Sequence, residues 1–215
     1  AHAAARDAVH EPLDTAALTG SLRDLGLGEP VIVTSRAAGR SEYLRRPDLG
    51  RQPLDLTPLE GLPSSRDIAV VLADGLSPRA LAEHAAPLLA ALVAEFAGRW
   101  TLTPPVIATQ ARVALGDHIG AALEVGTVIV VIGERPGLSV ADSLGIYLTQ
   151  GPRPGRSDAD RNCVSNIHPP GGLDYATAAR VTAGLVAGAR ALGRSGVALK
   201  DTSRTIEPGA RTALD

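Results

Sequence analysis

Glu134 is the residue whose type and place most clearly suggest chemistry. It follows the apolar run Thr127-Val-Ile-Val-Val-Ile-Gly133 and precedes Arg135-Pro136-Gly137, so it stands where a buried strand opens into a loop. A carboxylate there can accept hydrogen bonds from a ligand on the floor of a crevice. A local salt bridge with Arg135 or Arg161 is the alternative. Cys163 comes second, and as the one cysteine of 215 residues it excludes an intrachain disulfide and suits a reducing compartment. A lone thiol is usually a small core residue, and no histidine is placed by sequence to activate this one. Its polar neighbours Ser165 and Asn166 lie in a turn-rich segment, which favours backbone hydrogen bonding to a ligand or partner. Asp74-Gly75-Leu76-Ser77 could cradle an anion at a helix N-terminus or could simply cap the helix. Arg45, Arg46 and Arg51 could rim a subunit interface or belong to a solvated loop.

Several chemistries are excluded by what is missing. Gly26 and Gly28 are spaced like the first pair of a dinucleotide fingerprint, but Glu29-Pro30 follows and no helix can open on them. There is no P-loop and no GxSxG nucleophile elbow, and Lys200, the sole lysine, is the one candidate for Schiff-base chemistry. His84 and His118 lack partners at i+3 or i+4, and five scattered histidines with one cysteine make a poor zinc set, so no metal ligands are expected. A net charge of -2 and five dispersed aromatics exclude a nucleic-acid binder. With no run of eighteen apolar residues and no signal-peptide layout, a soluble cytoplasmic protein with no membrane role is expected.

Residues 67–74 are continuously apolar between two aspartates, as in a strand buried on both faces of a parallel sheet. Ser77 and Pro78 then supply the N-cap and first position of a helix reaching about Gly98, with Pro87 expected to kink it. Further strands are predicted over 105–109, 127–133 and 144–149. A short apolar segment at Val113 leads into a helix over 117–123, and another helix spans 175–192 after Asp174. Residues 151–156 form a turn-rich loop leading through 158–168 to Pro169-Pro170-Gly171-Gly172. Earlier, residues 1–10 and 16–28 read as helical, Val31-Ile-Val-Thr34 as a β-branched run, and 37–63 as an ordered loop or partner-binding surface without sustained period. The pattern predicts an α/β fold with an open, mostly parallel sheet flanked by helices. Ligands then belong at the carboxyl ends of the strands: residues 74–77, Thr109-Gln110 with Val113 just beyond, and 134–137. We divide the chain into an N-terminal helical and loop segment, 1–64, and an α/β domain, 65–215.

The stretch VVIGERPGLSVADSLGIYLTQGPRPGRSDADRNCVSNIHPPGG, with YLRRPDLGR, ADGLS and ARVALGDHIGAAL, resembles the small (light) subunit of ethanolamine ammonia-lyase. That family converts ethanolamine to acetaldehyde and ammonia with adenosylcobalamin. The resemblance implies a Rossmann-like, cobalamin-binding domain that packs on a large TIM-barrel subunit, with the corrinoid held between the two chains. It carries the cobalamin contacts onto Val113, Glu134 and Cys163. It also implies that the substrate and the residues handling the radical belong to the large subunit, so no catalytic residue is expected in this chain. Asp117-His118-Ile119-Gly120 is close to the DxHxxG motif by which other corrinoid proteins ligate cobalt, but its spacing differs. The cofactor is therefore expected to keep its own base. Because the chain starts at Ala1 inside a helical segment, the natural start is expected upstream. The extension that can direct the family into a bacterial microcompartment is not in this sequence, which puts that location in doubt. The rival readings are a stand-alone Rossmann-like binding or scaffold domain and an independent nucleotide-binding enzyme.

Overall fold

Ile68–Ala73 forms β2, and every one of its six side chains is buried, because the strand has neighbours on both edges and helices over both faces. A computed structural model describes residues 9–64, 66–135 and 142–199. The other strands are β1 (Val31–Thr34), β3 (Val106–Thr109), β4 (Thr127–Gly133), β5 (Leu144–Gln150) and β6 (Arg161–Ile167). They form one six-stranded sheet in the order β1-β3-β2-β4-β5-β6. The first four run parallel, whereas β5 and β6 are antiparallel to their neighbours.

The sheet is thus mixed, and chain length explains why. The connections 134–143 and 151–160 are shorter than the dozen or so residues a parallel crossover needs, so each strand can only turn back beside the last. Residues 161–167, expected as part of a loop, are a strand. As an edge strand, β6 buries only Arg161, Val164 and Ile167 and leaves Cys163, Ser165 and Asn166 exposed, so it shows no apolar run.

Helix α1 (Thr15–Leu22) is capped by Asp14, which accepts from the Ala17 amide at 2.9 Å, and it gives way to a 3-10 turn over Arg23–Leu25. A short helix α2 (Arg40–Arg45) interrupts the segment read as loop. Helix α3 (Pro78–Phe96) contains Pro87, α4 is Leu115–Ala122, and α5 is Tyr175–Leu192. Both long helices start on the predicted caps: Ser77 accepts from Ala80 and Asp174 from Thr177. The expected helix over 1–10 lies largely outside the described residues, as do Gly137 and Lys200.

The two-residue period of the strands divides the core in two. Ile68, Val70 and Leu72 face α1, α3 and α5, meeting Leu81, Leu88, Phe96 and Val186. Ala69, Val71 and Ala73 face α4, with Leu115 and Ile119. Each fully buried large side chain contributes roughly 1.5–3 kcal/mol relative to exposure. The helices after β2 and β3 therefore leave on opposite faces of the sheet, and the strand ends between them gape. Among the described residues, no helix is long and apolar enough to cross a membrane.

Candidate functional site

The gap is a shallow cleft of about 280 Å³ over the carboxyl ends of β2 and β4 and the turn after β3. Its walls come from Gly75 and Leu76 after β2, Arg112 and Val113 after β3, and Ile132 to Arg135 at the end of β4; Tyr147 on β5 and Tyr43 on α2 complete it. Its volume lies just below the range of about 300–1,000 Å³ usual for small-molecule pockets.

Val113 and Glu134 both line this cleft. Glu134 is locked by its neighbours: its amide donates to the Ser143 carbonyl at 2.9 Å, and its Oε2 accepts from Ser143 Oγ at 2.9 Å and from the Asn166 amide at 3.2 Å. The carboxylate so ties the end of β4 to the start of β5 and the end of β6. Among the described residues it has no ion pair, because Arg161 is committed elsewhere, to Asp117. The Asn166 amide, which could have met a ligand, is spent on Glu134.

Cys163 is not among the residues lining the cleft. It lies on β6 rather than in a loop, directly across the ladder from Tyr147, which does line it. Burial pushes the Tyr147 phenol up to about 12, and Cys163 and Glu134 add to the rise. Although Cys163 keeps contact with solvent, the protein packed around its thiol desolvates it and raises its pKa, while a hydrogen bond with Tyr147 lowers it and the Glu134 charge raises it. A protonated thiol is a small apolar surface beside the cleft, not a nucleophile.

The aspartate at the end of β2 serves the scaffold. Asp74 is fully buried and accepts from the amides of Gln110 and Ala111 at 2.8 and 2.9 Å and from Arg40 at 3.3 Å. These bonds hold Gln110 at a φ of 52°, so that the chain turns sharply into Arg112 and Val113. Gly75 and Gly133 touch: a side chain on Gly75 would overlap the Gly133 carbonyl, and one on Gly133 would overlap the Ser77 carbonyl. Both glycines make room for the protein's own backbone.

Tyr43 and Arg112 carry a contribution that sequence reasoning missed. The guanidinium groups of Arg40 and Arg112 both stack on the Tyr43 ring, at 4.7 and 4.5 Å from its centroid, and its hydroxyl donates to the Ala111 carbonyl. Gly50 lies close against the ring, where a Cβ would come within 2.9 Å of its Cδ2 and Cε2, and its carbonyl accepts from the Arg112 amide. The Tyr-Leu-Arg-Arg-Pro-Asp-Leu-Gly-Arg segment thus positions a cation at the cleft. Arg46 instead forms a solvated pair with Asp48. His118 is not among the cleft residues, and burial lowers its pKa.

The lining is mixed in character. Leu76, Val113 and Ile132 offer apolar contact, and Glu134 offers an acceptor. Of the two buried side-chain atoms near the turn that lack a hydrogen-bond partner, Arg112 Nε belongs to a lining residue, while Gln110 Oε1 belongs to a residue that does not line the cleft. A buried donor such as Arg112 Nε gains by meeting a polar partner atom.

The family model described as ethanolamine ammonia-lyase light chain (EutC) matches residues 1–200. A Rhodococcus erythropolis protein named ethanolamine ammonia-lyase small subunit is 66% identical over 217 residues, covering 100% of this chain and 84% of the relative. A protein of the same name from Rhodopseudomonas palustris is 52% identical, covering 94% of this chain and 78% of that one. Another, from Azotobacter vinelandii, is 47% identical, covering 94% and 76%.

Proposed function

The chain belongs to the ethanolamine ammonia-lyase light-chain family, and we propose that it forms one wall of an adenosylcobalamin site completed by a large subunit. One observation carries this reading: an open cleft at the carboxyl ends of β2 and β4 contains Val113 and Glu134, with Cys163 beside it across Tyr147. On this reading Glu134 would supply a hydrogen-bond acceptor for the cofactor's amide groups, and Val113, with the neutral Cys163 thiol beside the cleft, would supply apolar contact. When bound, adenosylcobalamin supplies a radical source through its cobalt–carbon bond. The chain's own part is to orient that group and exclude water from it. Ethanolamine and the residues that handle it belong to the large subunit, and none of the cleft residues acts as an acid–base catalyst.

The finer fold assignment rests on the same geometry. We read the parallel half of the sheet, with connections leaving on opposite faces, as Rossmann-like. Residues 65–215 then make the cofactor domain. Residues 1–64 face the partner and also supply the edge strand β1 and the Tyr43 platform. The assembled enzyme is a cytoplasmic hetero-oligomer on this reading.

Co-purification with a large subunit, followed by titration with cobalamin and a visible spectrum, tests the proposal. The expected result is a stable complex whose cobalamin spectrum shifts, and deamination of ethanolamine that needs both chains. Deamination that proceeds unchanged without this chain overturns the proposal in favour of a scaffold domain.

A further inference from the structure

A second cluster includes Asp142, the neighbour in sequence of Ser143, which anchors Glu134. His84, on α3, is buried, and its Nε2 is buried without a hydrogen-bond partner. Its Nδ1 is 2.8 Å from the Tyr175 hydroxyl at the start of α5. If Nδ1 carries the proton and donates to Tyr175, Nε2 presents a lone pair. That nitrogen points toward Asp142, whose Oδ2 is 3.9 Å away. Glu83, the residue before His84, brings a third donor: one ligand atom from each of Glu83, His84 and Asp142 lies within 4.8 Å of the others.

We propose that Glu83, His84 and Asp142 bind one divalent transition-metal ion of the zinc class. An imidazole nitrogen with two carboxylates is a donor set for zinc and its neighbours, while calcium and magnesium prefer oxygen alone. The Tyr175 hydroxyl supplies the second contact that ligating histidines usually make, fixing the tautomer and the ring plane. Zinc–ligand distances of about 2.0–2.2 Å require the three donors to draw slightly closer. Rotation of exposed Glu83 and part-exposed Asp142 provides this. Glu83 also has a weak, solvated partner in Arg79 at 3.8 Å, which it gives up readily.

The ion would tie α3 to the start of β5. Asp142 immediately precedes Ser143, whose hydroxyl holds Glu134. The site therefore stands one residue from a contact of the cleft wall, and its existence does not depend on which ligand the cleft takes.

The test uses the full chain, stripped with a chelator and titrated with zinc sulfate against a chromophoric competitor. One zinc per chain is expected. Glu83→Gln and Asp142→Asn should each weaken it by at least about tenfold, with an unchanged circular dichroism spectrum, since both residues lie at the surface. His84→Ala should abolish it. Calcium or magnesium at equal concentration should not displace the zinc. Absence of stoichiometric binding, binding that all three substitutions leave intact, or equal binding of calcium overturns the proposal.

Discussion

The Arg161 guanidinium closes on the Asp117 carboxylate through two hydrogen bonds, of 2.8 and 2.7 Å, with both side chains 2% exposed. The pair joins α4 to β6 across 44 positions of sequence. Thr149 accepts a further bond from Arg161 at 2.8 Å, so the guanidinium of this β6 residue is held by both α4 and β5. Asp117 belongs to the Asp-His-Ile-Gly segment that resembles a cobalt-ligating motif, and here it serves the scaffold.

Arg161→Ala should therefore destabilise the chain by about 3–5 kcal/mol, because it leaves a carboxylate buried without its partner. Replacing both residues by leucine or methionine should recover most of that loss. Urea unfolding midpoints of the single and double variants check this. A single variant within 1 kcal/mol, roughly the surface-pair range, would show that Asp117 reaches water.

Glu134→Ala should weaken cobalamin binding in the assembled enzyme by roughly 1–3 kcal/mol, about 5- to 150-fold in Kd. The same change strands the Ser143 hydroxyl and the Asn166 amide, so amide exchange at Asn166 should accelerate. Cys163→Ser should be milder in binding. Spectral titration of the complex measures both, and an unchanged Kd for Glu134→Ala reduces the residue to a strand tie.

The parallel half of the fold was legible because buried strands between two helical layers must read as continuous apolar runs, as 67–74 and 127–133 do. The caps at Ser77 and Asp174 were legible because they are local hydrogen bonds. β6 was not: an edge strand half open to solvent needs few apolar residues, and its pairing with β5 is fixed by a non-local ladder. Val113 and Glu134 could be placed at strand ends from pattern alone. Tyr43 and Arg112 could not, because their stacking joins residues almost seventy positions apart. The one available signal was the unusual density of arginine around a single tyrosine.

Gly133→Ala should cost stability rather than ligand affinity alone. Its Cβ would overlap the Ser77 carbonyl and approach that of Asp74, and both belong to a turn fixed by buried bonds. Overpacking of this kind costs about 1–3 kcal/mol. The urea midpoint of the variant, measured without cofactor, checks it. A normal midpoint with weakened cobalamin binding would mean that the glycine faces the ligand after all.

The thiol of Cys163 offers a pH-dependent probe of the same site. Burial raises its pKa, the Tyr147 hydrogen bond lowers it, and the negative Glu134 raises it again, with a net upward shift. A raised pKa means less thiolate at any pH below it, so alkylation by iodoacetamide at pH 8 should be slower than for free cysteine, whose pKa is about 8.5. The rate should keep climbing above the pH at which free cysteine levels off. Tyr147→Phe removes the lowering influence and should move the profile to higher pH. Glu134→Gln removes a negative charge near the thiol and should move it to lower pH. Opposite shifts from the two variants require that Glu134, Tyr147 and Cys163 share one electrostatic environment. Identical profiles for wild type and both variants would separate Cys163 from the cleft, and with it the case for the thiol as a contact.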